Sequence, residues 1–266
     1  MIIIGEKINA TRKKIGAALK AQDAEFIIAT AREQAEAGAD FIDINGGAHE
    51  EGQEAKNMEW LINLVQDNTD TPVAVDSADV EAMKIGLGLA KQKPILNSIS
   101  LESDRLDPML PLAADHECMV VALLMSDEGT PCGIDDRLER TDALLEKITG
   151  IGKKLDEIII DPCFLPVSTD TNSGVAVLEA IHRIHLKYPE VHIGGGCSNV
   201  SFGLPKRRLV NFALLTQAIY LGMDAGIIDP CIPGIIANIL AAEAVAGKDE
   251  FCMNYVMGER EGKLDF

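Results

Sequence analysis

Short apolar runs alternate with longer segments of helical periodicity along the whole chain. The runs at 2–5, 41–45, 73–76, 95–98, 119–124, 158–161, 192–194 and 225–228 read as strands. The segments at 23–37, 54–68, 79–91, 106–116, 134–150, 175–188, 209–221 and 235–246 read as helices. Ala37-Gly38-Ala39-Asp40 and Gly222-Met223-Asp224-Ala225 mark helix ends that feed the next strand, with glycine taking the cap conformation. Eight such units in 266 residues predict a (β/α)8 TIM barrel, with a doubly wound open sheet as the other arrangement this alternation allows. No linker or low-complexity block divides the chain, so a single domain over 1–266 is expected.

In a barrel, ligand chemistry gathers where the strands end. Those ends read Glu6 and Asn9, Asp43 and Asn45, Asp76, Asn97, Met125, Asp161, Ser198 with Asn199, and Asp229. Each has an ordinary reading. Asp76 before Ser77 suits a helix cap, Asp161 before Pro162 suits a turn, and Asp43, flanked by apolar residues, suits a satisfied polar group inside the barrel. Together they point elsewhere, because unpaired polar groups are costly in a mouth partly shielded from water. A small, flat ligand with several N–H groups satisfies them at once. The amino-pyrimidinone edge of a pterin has that character, and other nitrogen-rich rings pass the same test.

The stretch Gly194-Gly195-Gly196-Cys197-Ser198-Asn199-Val200-Ser201 adds a glycine turn that lets backbone approach a ligand closely. Ser198, Asn199 and Ser201 supply neutral donors and acceptors there. Just beyond it, Lys206-Arg207-Arg208 places cations at a helix start, where they oppose the dipole. That cluster suits either contact with an anion or a solvated patch.

A formal net charge of −18 argues against nucleic acid as a partner. The apolar segment 232–246 is interrupted by Pro233, Gly234, Asn238 and Glu243, so no membrane span is expected. The first residues lack the basic leader and apolar length of a signal peptide, and a cytoplasmic enzyme is expected. Six cysteines lie scattered without a C-x-x-C pair. His49, His116, His182, His185 and His192 have no accompanying ligand motif, and no metal site is predicted.

The ordered set Ile4-Gly5-Glu6-Lys7-Ile8-Asn9, Asp43-Ile44-Asn45, Val75-Asp76-Ser77, Leu96-Asn97-Ser98, Ile160-Asp161-Pro162 and Ser198-Asn199-Val200-Ser201 covers nearly the whole chain. In this set the sequence resembles the pterin-binding methyltransferases that move a methyl group between tetrahydrofolate and a corrinoid protein. It is similar in particular to the methyltetrahydrofolate:corrinoid/iron–sulfur protein methyltransferases and to the folate module of cobalamin-dependent methionine synthase. The resemblance implies a barrel, usually a homodimer, with tetrahydrofolate or methyltetrahydrofolate as substrate. It implies that Asp76, Asn97 and Asp161 hold the pterin edge and that Asn199 lies near N5, the atom bearing the methyl. Ser198 and Arg207 occupy matching neighbourhoods, with Glu6, Asn9 and Asp43 further out in the pocket. The chain is too short for a cobalamin domain of its own, so the corrinoid is expected on a separate, transient partner. The rival readings are a dihydropteroate synthase-like enzyme, whose late loop is expected to read Ser-Arg-Lys rather than Ser198-Asn199-Val200, and a non-catalytic folate- or corrinoid-protein-binding module.

Overall fold

A computed structural model describes residues 1–47 and 52–264. The apolar runs become strands β1 (Ile2–Asn9), β2 (Phe41–Asn45), β3 (Val73–Asp76), β4 (Ile95–Leu101), β5 (Met119–Ser126), β6 (Ile158–Asp161), β7 (His192–Ile193) and β8 (Ala225–Ile228). Between and after them run α1 (Lys13–Ala21), α2 (Ala24–Glu36), α3 (Gln53–Gln66), α4 (Val80–Leu89), α5 (Ser103–Asp115), α6 (Gly133–Gly150), α7 (Ser173–Lys187), α8 (Arg207–Leu221), α9 (Ile235–Val245) and α10 (Met253–Arg260). The strands pair in parallel, in the order β7-β6-β5-β4-β3-β2-β1-β8. The ends of that order meet: the Asp224 N–H donates to the Ile193 carbonyl at 3.1 Å, and the Ile227 N–H to the Gly195 carbonyl at 2.9 Å. The result is the barrel the alternation predicts, not the open sheet.

Side-chain alternation divides the core in two. Outward positions such as Ile42, Val75, Leu96, Val120, Ile160 and Ile193 pack against Ile27, Met58, Met83, Met109, Leu144, Ile181 and Leu215 of the surrounding helices. Inward positions form a smaller plug of Ile4, Ala74, Ile95, Val121, Ile159 and Ala225, joined by Ile2, Phe41, Met119 and Ile227. Each buried aliphatic side chain contributes roughly 1.5–3 kcal/mol relative to exposure. Moving two residues along most strands from that plug, the next inward position turns polar: Ile4 gives way to Glu6, Phe41 to Asp43, Ala74 to Asp76, Ile95 to Asn97, Ile159 to Asp161 and Ile227 to Asp229. The period of a strand thus sets an apolar floor under a polar mouth.

Several element limits differ from expectation. β1 runs on to Asn9 because Gly5 pairs with Ile42 and Ile8 with Ile44, leaving Glu6 and Lys7 opposite Asp43 alone. This bulge displaces the Lys7 N–H from the ladder, and buried Gln34 accepts it at 2.9 Å. β7 stops at Ile193, one residue short of the expected end. Helices α1 and α10 go beyond the expected set; the residues preceding them, Arg12 and Cys252, provide no side-chain cap that a sequence reading could find.

Candidate active site

The polar ends of β2, β3 and β4 are tied to one another by carboxamides. Asn97 Nδ2 donates to Asp43 Oδ1 at 3.1 Å, reaching across β3. Asn45 Nδ2 donates to Asp76 Oδ2 at 3.1 Å, while Asn45 Oδ1 accepts the Gly47 N–H at 3.1 Å. That second bond fixes which way the Asn45 amide faces, so its NH2 group must serve Asp76. Asp76 is not a helix cap: Asp79 takes that role, accepting the Ala82 N–H at 2.7 Å.

Next to this group, at the ends of β1 and β8, Arg12 Nη2 donates to Glu6 Oε1 at 2.6 Å and its Nη1 stands 3.7 Å from Asp229 Oδ2. Sequence pattern does not single out Arg12, since nothing local distinguishes it from its neighbours Lys13 and Lys14. Asn9 is turned away from this set; its Oδ1 accepts the Thr11 N–H and hydroxyl at 3.0 and 2.6 Å. Asp161 combines a turn role with a site position: Oδ1 accepts the Cys163 N–H at 2.9 Å, and Oδ2 faces the Gly196 N–H at 3.4 Å.

Electrostatics set these acids apart from ordinary surface carboxylates. Burial pushes Asp161 up to about 6, opposed by its two backbone N–H partners. Burial also lifts Asp76 to about 6, against the bond from Asn45 and the charge of Arg105. Asp43 stands well above the usual carboxylate range, first through burial and then through the charge of Asp76, with the Asn97 bond opposing both. Glu6 is raised by burial despite Arg12. Acids held this way switch between acceptor and donor near neutral pH, which suits a neutral ring with several N–H groups.

The glycine turn corrects an expectation. Gly194 and Gly195 serve the protein's own packing, because the space a side chain would fill there is taken. A Cβ on Gly194 would come within 2.1 Å of the Ala225 carbonyl oxygen, where β7 closes onto β8. A Cβ on Gly195 would come within 2.1 Å of the Asp161 carboxylate. Beyond them, Cys197–Ser201 forms a 3₁₀ turn that leaves Ser198 partly covered and Asn199 exposed. Arg207, in the first turn of α8, braces this turn. Its Nη2 donates to the Ser198 carbonyl at 2.6 Å and its Nε to Ser201 Oγ at 2.9 Å. A cation there spends its hydrogen bonds on the loop rather than on the helix it begins.

The structure therefore places two bonded pairs, Asp43 with Asn97 and Asp76 with Asn45, on adjacent strand ends, Glu6 and Asp229 around Arg12, and Asp161 beside the loop of Ser198 and Asn199. Met125 at the end of β5 contributes no polar atom to this ring, and its sulfur lies 3.9 Å from Cys163 Sγ. Among the described residues no group of three or more His, Cys, Asp or Glu side chains is arranged to hold a metal. His49 lies outside the described residues.

Comparison with known proteins agrees with this geometry. The chain is 35% identical over 266 residues to the methylcorrinoid:tetrahydrofolate methyltransferase of Eubacterium limosum, covering 99% of this chain and 98% of that one. It is 26% identical to the methionine synthase of Mycobacterium tuberculosis, over 86% of this chain but only 20% of that much longer enzyme. Among solved structures, dihydropteroate synthase from Coxiella burnetii, in complex with pteroic acid, superposes with a TM-score of 0.71 at 16% identity, over 92% of each chain. The enzyme from Xanthomonas albilineans gives 0.69 at 22% identity, over 94% of this chain and 92% of that one. At such identities these two establish the fold alone. The family model described as pterin binding enzyme matches residues 5–229, from within β1 to just past β8, and the chain belongs to the pterin-binding enzyme family.

Proposed function

We propose that this protein is a methyltransferase that moves a methyl group between N5 of tetrahydrofolate and the cobalt of a corrinoid carried by a separate protein. The full-length likeness to the Eubacterium limosum methyltransferase carries this reading. That relative's name puts the methylcorrinoid first, which supports transfer toward tetrahydrofolate as the working direction.

In that direction the N5 lone pair forms a bond to the methyl carbon while the cobalt–carbon bond breaks and leaves its electron pair on cobalt. The N5 proton departs. In reverse, cobalt attacks the methyl carbon, and N5 must take up a proton because an unprotonated amine is a poor leaving group. Asp76, Asn97 and Asp161 are assigned to the pterin edge. Ionised Asp76 and Asp161 accept ring N–H groups, and Asp43 steadies Asn97 through the bond between them. Asn199 is assigned to N5. Its amide strengthens a hydrogen bond as charge changes at that nitrogen, which acts on the transition state more than on the ground state. An amide neither supplies nor keeps the proton, so water or a carboxyl of the bonded pairs does. Ser198 and Arg207 shape the loop that presents Asn199, and Glu6 completes the pocket wall.

The further assignments are a single pterin-binding domain over 1–266, a homodimer and a cytoplasmic setting. Dimerisation is supported by exposed apolar side chains concentrated near the C-terminal end: Val245 is 86% and Phe251 87% exposed, with Met253, Val256 and Met257 beside them. Six free cysteines fit a reducing compartment. No helix among the described residues is long and apolar enough to cross a membrane.

The deciding experiment mixes the protein with methyltetrahydrofolate and cob(I)alamin under anaerobic conditions and follows the cobalt spectrum. Enzyme- and folate-dependent appearance of methylcobalamin is expected, as is the reverse reaction from methylcobalamin and tetrahydrofolate. Folate binding without transfer to free or protein-borne corrinoid would make the chain a binding module instead.

A further inference from the structure

Two arginines stand three residues apart on the inner face of α6, beside buried Thr141, Leu144 and Ile148. Arg137 is 2% exposed and Arg140 6%. A cation at that depth is costly unless its donors are satisfied. Arg140 has a carboxylate to face: its Nε donates to Asp136 Oδ1 at 2.7 Å, and its Nη1 to the Leu124 and Gly129 carbonyls at 3.2 and 2.6 Å. Arg137 forms no ion pair among the described residues, and its hydrogen bonds go to carbonyls alone. Nε donates to Pro162 at 2.7 Å, Nη1 to Gly133 at 2.7 Å and Nη2 to Cys163 at 3.2 Å.

Two of those carbonyls belong to the turn that follows β6. Cys163 takes a left-handed backbone there, with φ of 63°, which a residue other than glycine rarely adopts. The peptide between Pro162 and Cys163 is held at both ends. Its carbonyl accepts Arg137 Nε, and its N–H donates to Asp161 Oδ1 at 2.9 Å. Arg137 thus reaches Asp161 through one peptide unit, and a cation on the carbonyl side strengthens the N–H as a donor. The other titratable groups around Asp161 are the Cys163 thiol of its own turn and the Cys197 thiol from the turn after β7. Burial pushes Cys163 up to about 11 and raises Cys197 as well, so both are neutral where Asp161 titrates. From β5 comes Met125, whose sulfur meets Cys163, while His192 of β7 sits level with Ile159 in the floor, bonded to Asp224. Among the described residues Arg137 is the one cation acting on Asp161.

We infer that Arg137 is a positioning residue for Asp161: it fixes the turn that orients this carboxylate and supplies, through the Pro162–Cys163 peptide, the positive charge that keeps it an acceptor. The inference rests on the assignment of Asp161 to the pterin edge. A side chain that only braced the turn would need no charge, since a glutamine amide also donates to a carbonyl. A guanidinium does both, because its planar fork reaches the carbonyls on either side of Cys163 while its charge persists at any working pH.

The test titrates the Asp161 carboxyl by NMR in the protein without ligand, the signal being assigned by its loss in Asp161→Asn. Methyltetrahydrofolate affinity is measured beside it by calorimetry between pH 5 and pH 8. Arg137→Gln removes the charge and keeps an amide donor, Arg137→Lys keeps the charge without the fork, and Arg140→Gln is the control on the same helix. In Arg137→Gln the Asp161 midpoint is expected to rise from about 6 to about 7. Methyltetrahydrofolate should then bind about tenfold weaker at pH 5 and within about twofold of normal at pH 8. Arg137→Lys and Arg140→Gln should hold the midpoint near 6. In the unaltered protein the Arg137 Nε and Cys163 amide resonances should titrate together with the carboxyl, a measurement that needs no variant to fold. A midpoint unmoved by Arg137→Gln, an affinity loss equal at pH 5 and pH 8, or an Arg137 Nε resonance indifferent to the titration would each overturn the inference. Failure of the unaltered protein to bind methyltetrahydrofolate, with the NMR results as expected, would overturn the pterin reading and leave the hold of Arg137 on Asp161 standing.

Discussion

The floor and the mouth of this barrel are built from the same strands, two residues apart; Asp43 and Asp161 in the mouth are nearly as buried as the floor, while Glu6, Asp76, Asn97 and Asp229 are half-buried. Ile4, Ala74, Ile95 and Ile159 in the floor are at most 1% exposed, while Asp43 and Asp161 above them are 3% and 8% exposed. Their chemistry is opposite. The floor gains stability from every methyl it hides and has no polar atom to satisfy. The mouth holds carboxylates, two of which are pushed up to about 6 chiefly by burial, so each ionised group there costs stability that a purely structural barrel would not give up. A ligand that donates hydrogen bonds recovers that cost. The contrast in chemistry between positions two residues apart on the same strands is what separates scaffold from site in this molecule.

Substitutions break the comparison at its two ends. Ile95→Ala opens a hole in the floor, and unfolding by denaturant should show a loss of about 2–5 kcal/mol. The folate affinity of the surviving folded protein should barely change. A floor variant that altered affinity as strongly as stability would mean that the two layers are not separable. In the mouth, Asn199→Ala should lower the single-turnover rate of methyl transfer by about 10- to 1000-fold, the range for losing one well-placed polar group. Because Asn199 is exposed, its stability should be nearly untouched. An unchanged rate would remove Asn199 from the reaction.

The same contrast explains which features were legible in the sequence. The alternation of apolar runs and helical segments is local, so the strands and barrel helices could be read directly, and strand ends such as Asp76, Asn97 and Asp161 followed from the period of two. What lies beyond local pattern was hidden. The bulge at Glu6-Lys7 exists because buried Gln34 accepts a displaced N–H from a helix 27 residues away. Gly194 and Gly195 look like ligand-binding glycines in sequence, yet Ala225 and Asp161, brought in by other strands, dictate them. Arg12 acquires its place only when β8 delivers Asp229 beside Glu6.

Two smaller effects sharpen the comparison within the mouth itself. Asp161→Asn keeps the size of the side chain but removes the negative charge, and it should weaken methyltetrahydrofolate binding by about 10- to 100-fold, the worth of a charge-assisted hydrogen bond. Unaltered affinity by calorimetry would argue against the pocket as assigned. The pH dependence follows from the same group. Folding raises Asp161 from its ordinary value of 3.8 to about 6, so between those values the folded chain binds more protons than the unfolded one. Its contribution to stability is therefore largest at low pH and is lost as pH rises through about 6. Ligand binding runs the other way, because only the ionised acid accepts two donors at once. Affinity should fall about tenfold from pH 7 to pH 5 for one such group, and Asp161→Asn should flatten its share of that slope. Opposite slopes for stability and affinity over one pH interval would show that the mouth gives up stability for binding; parallel slopes would place the titrating groups elsewhere.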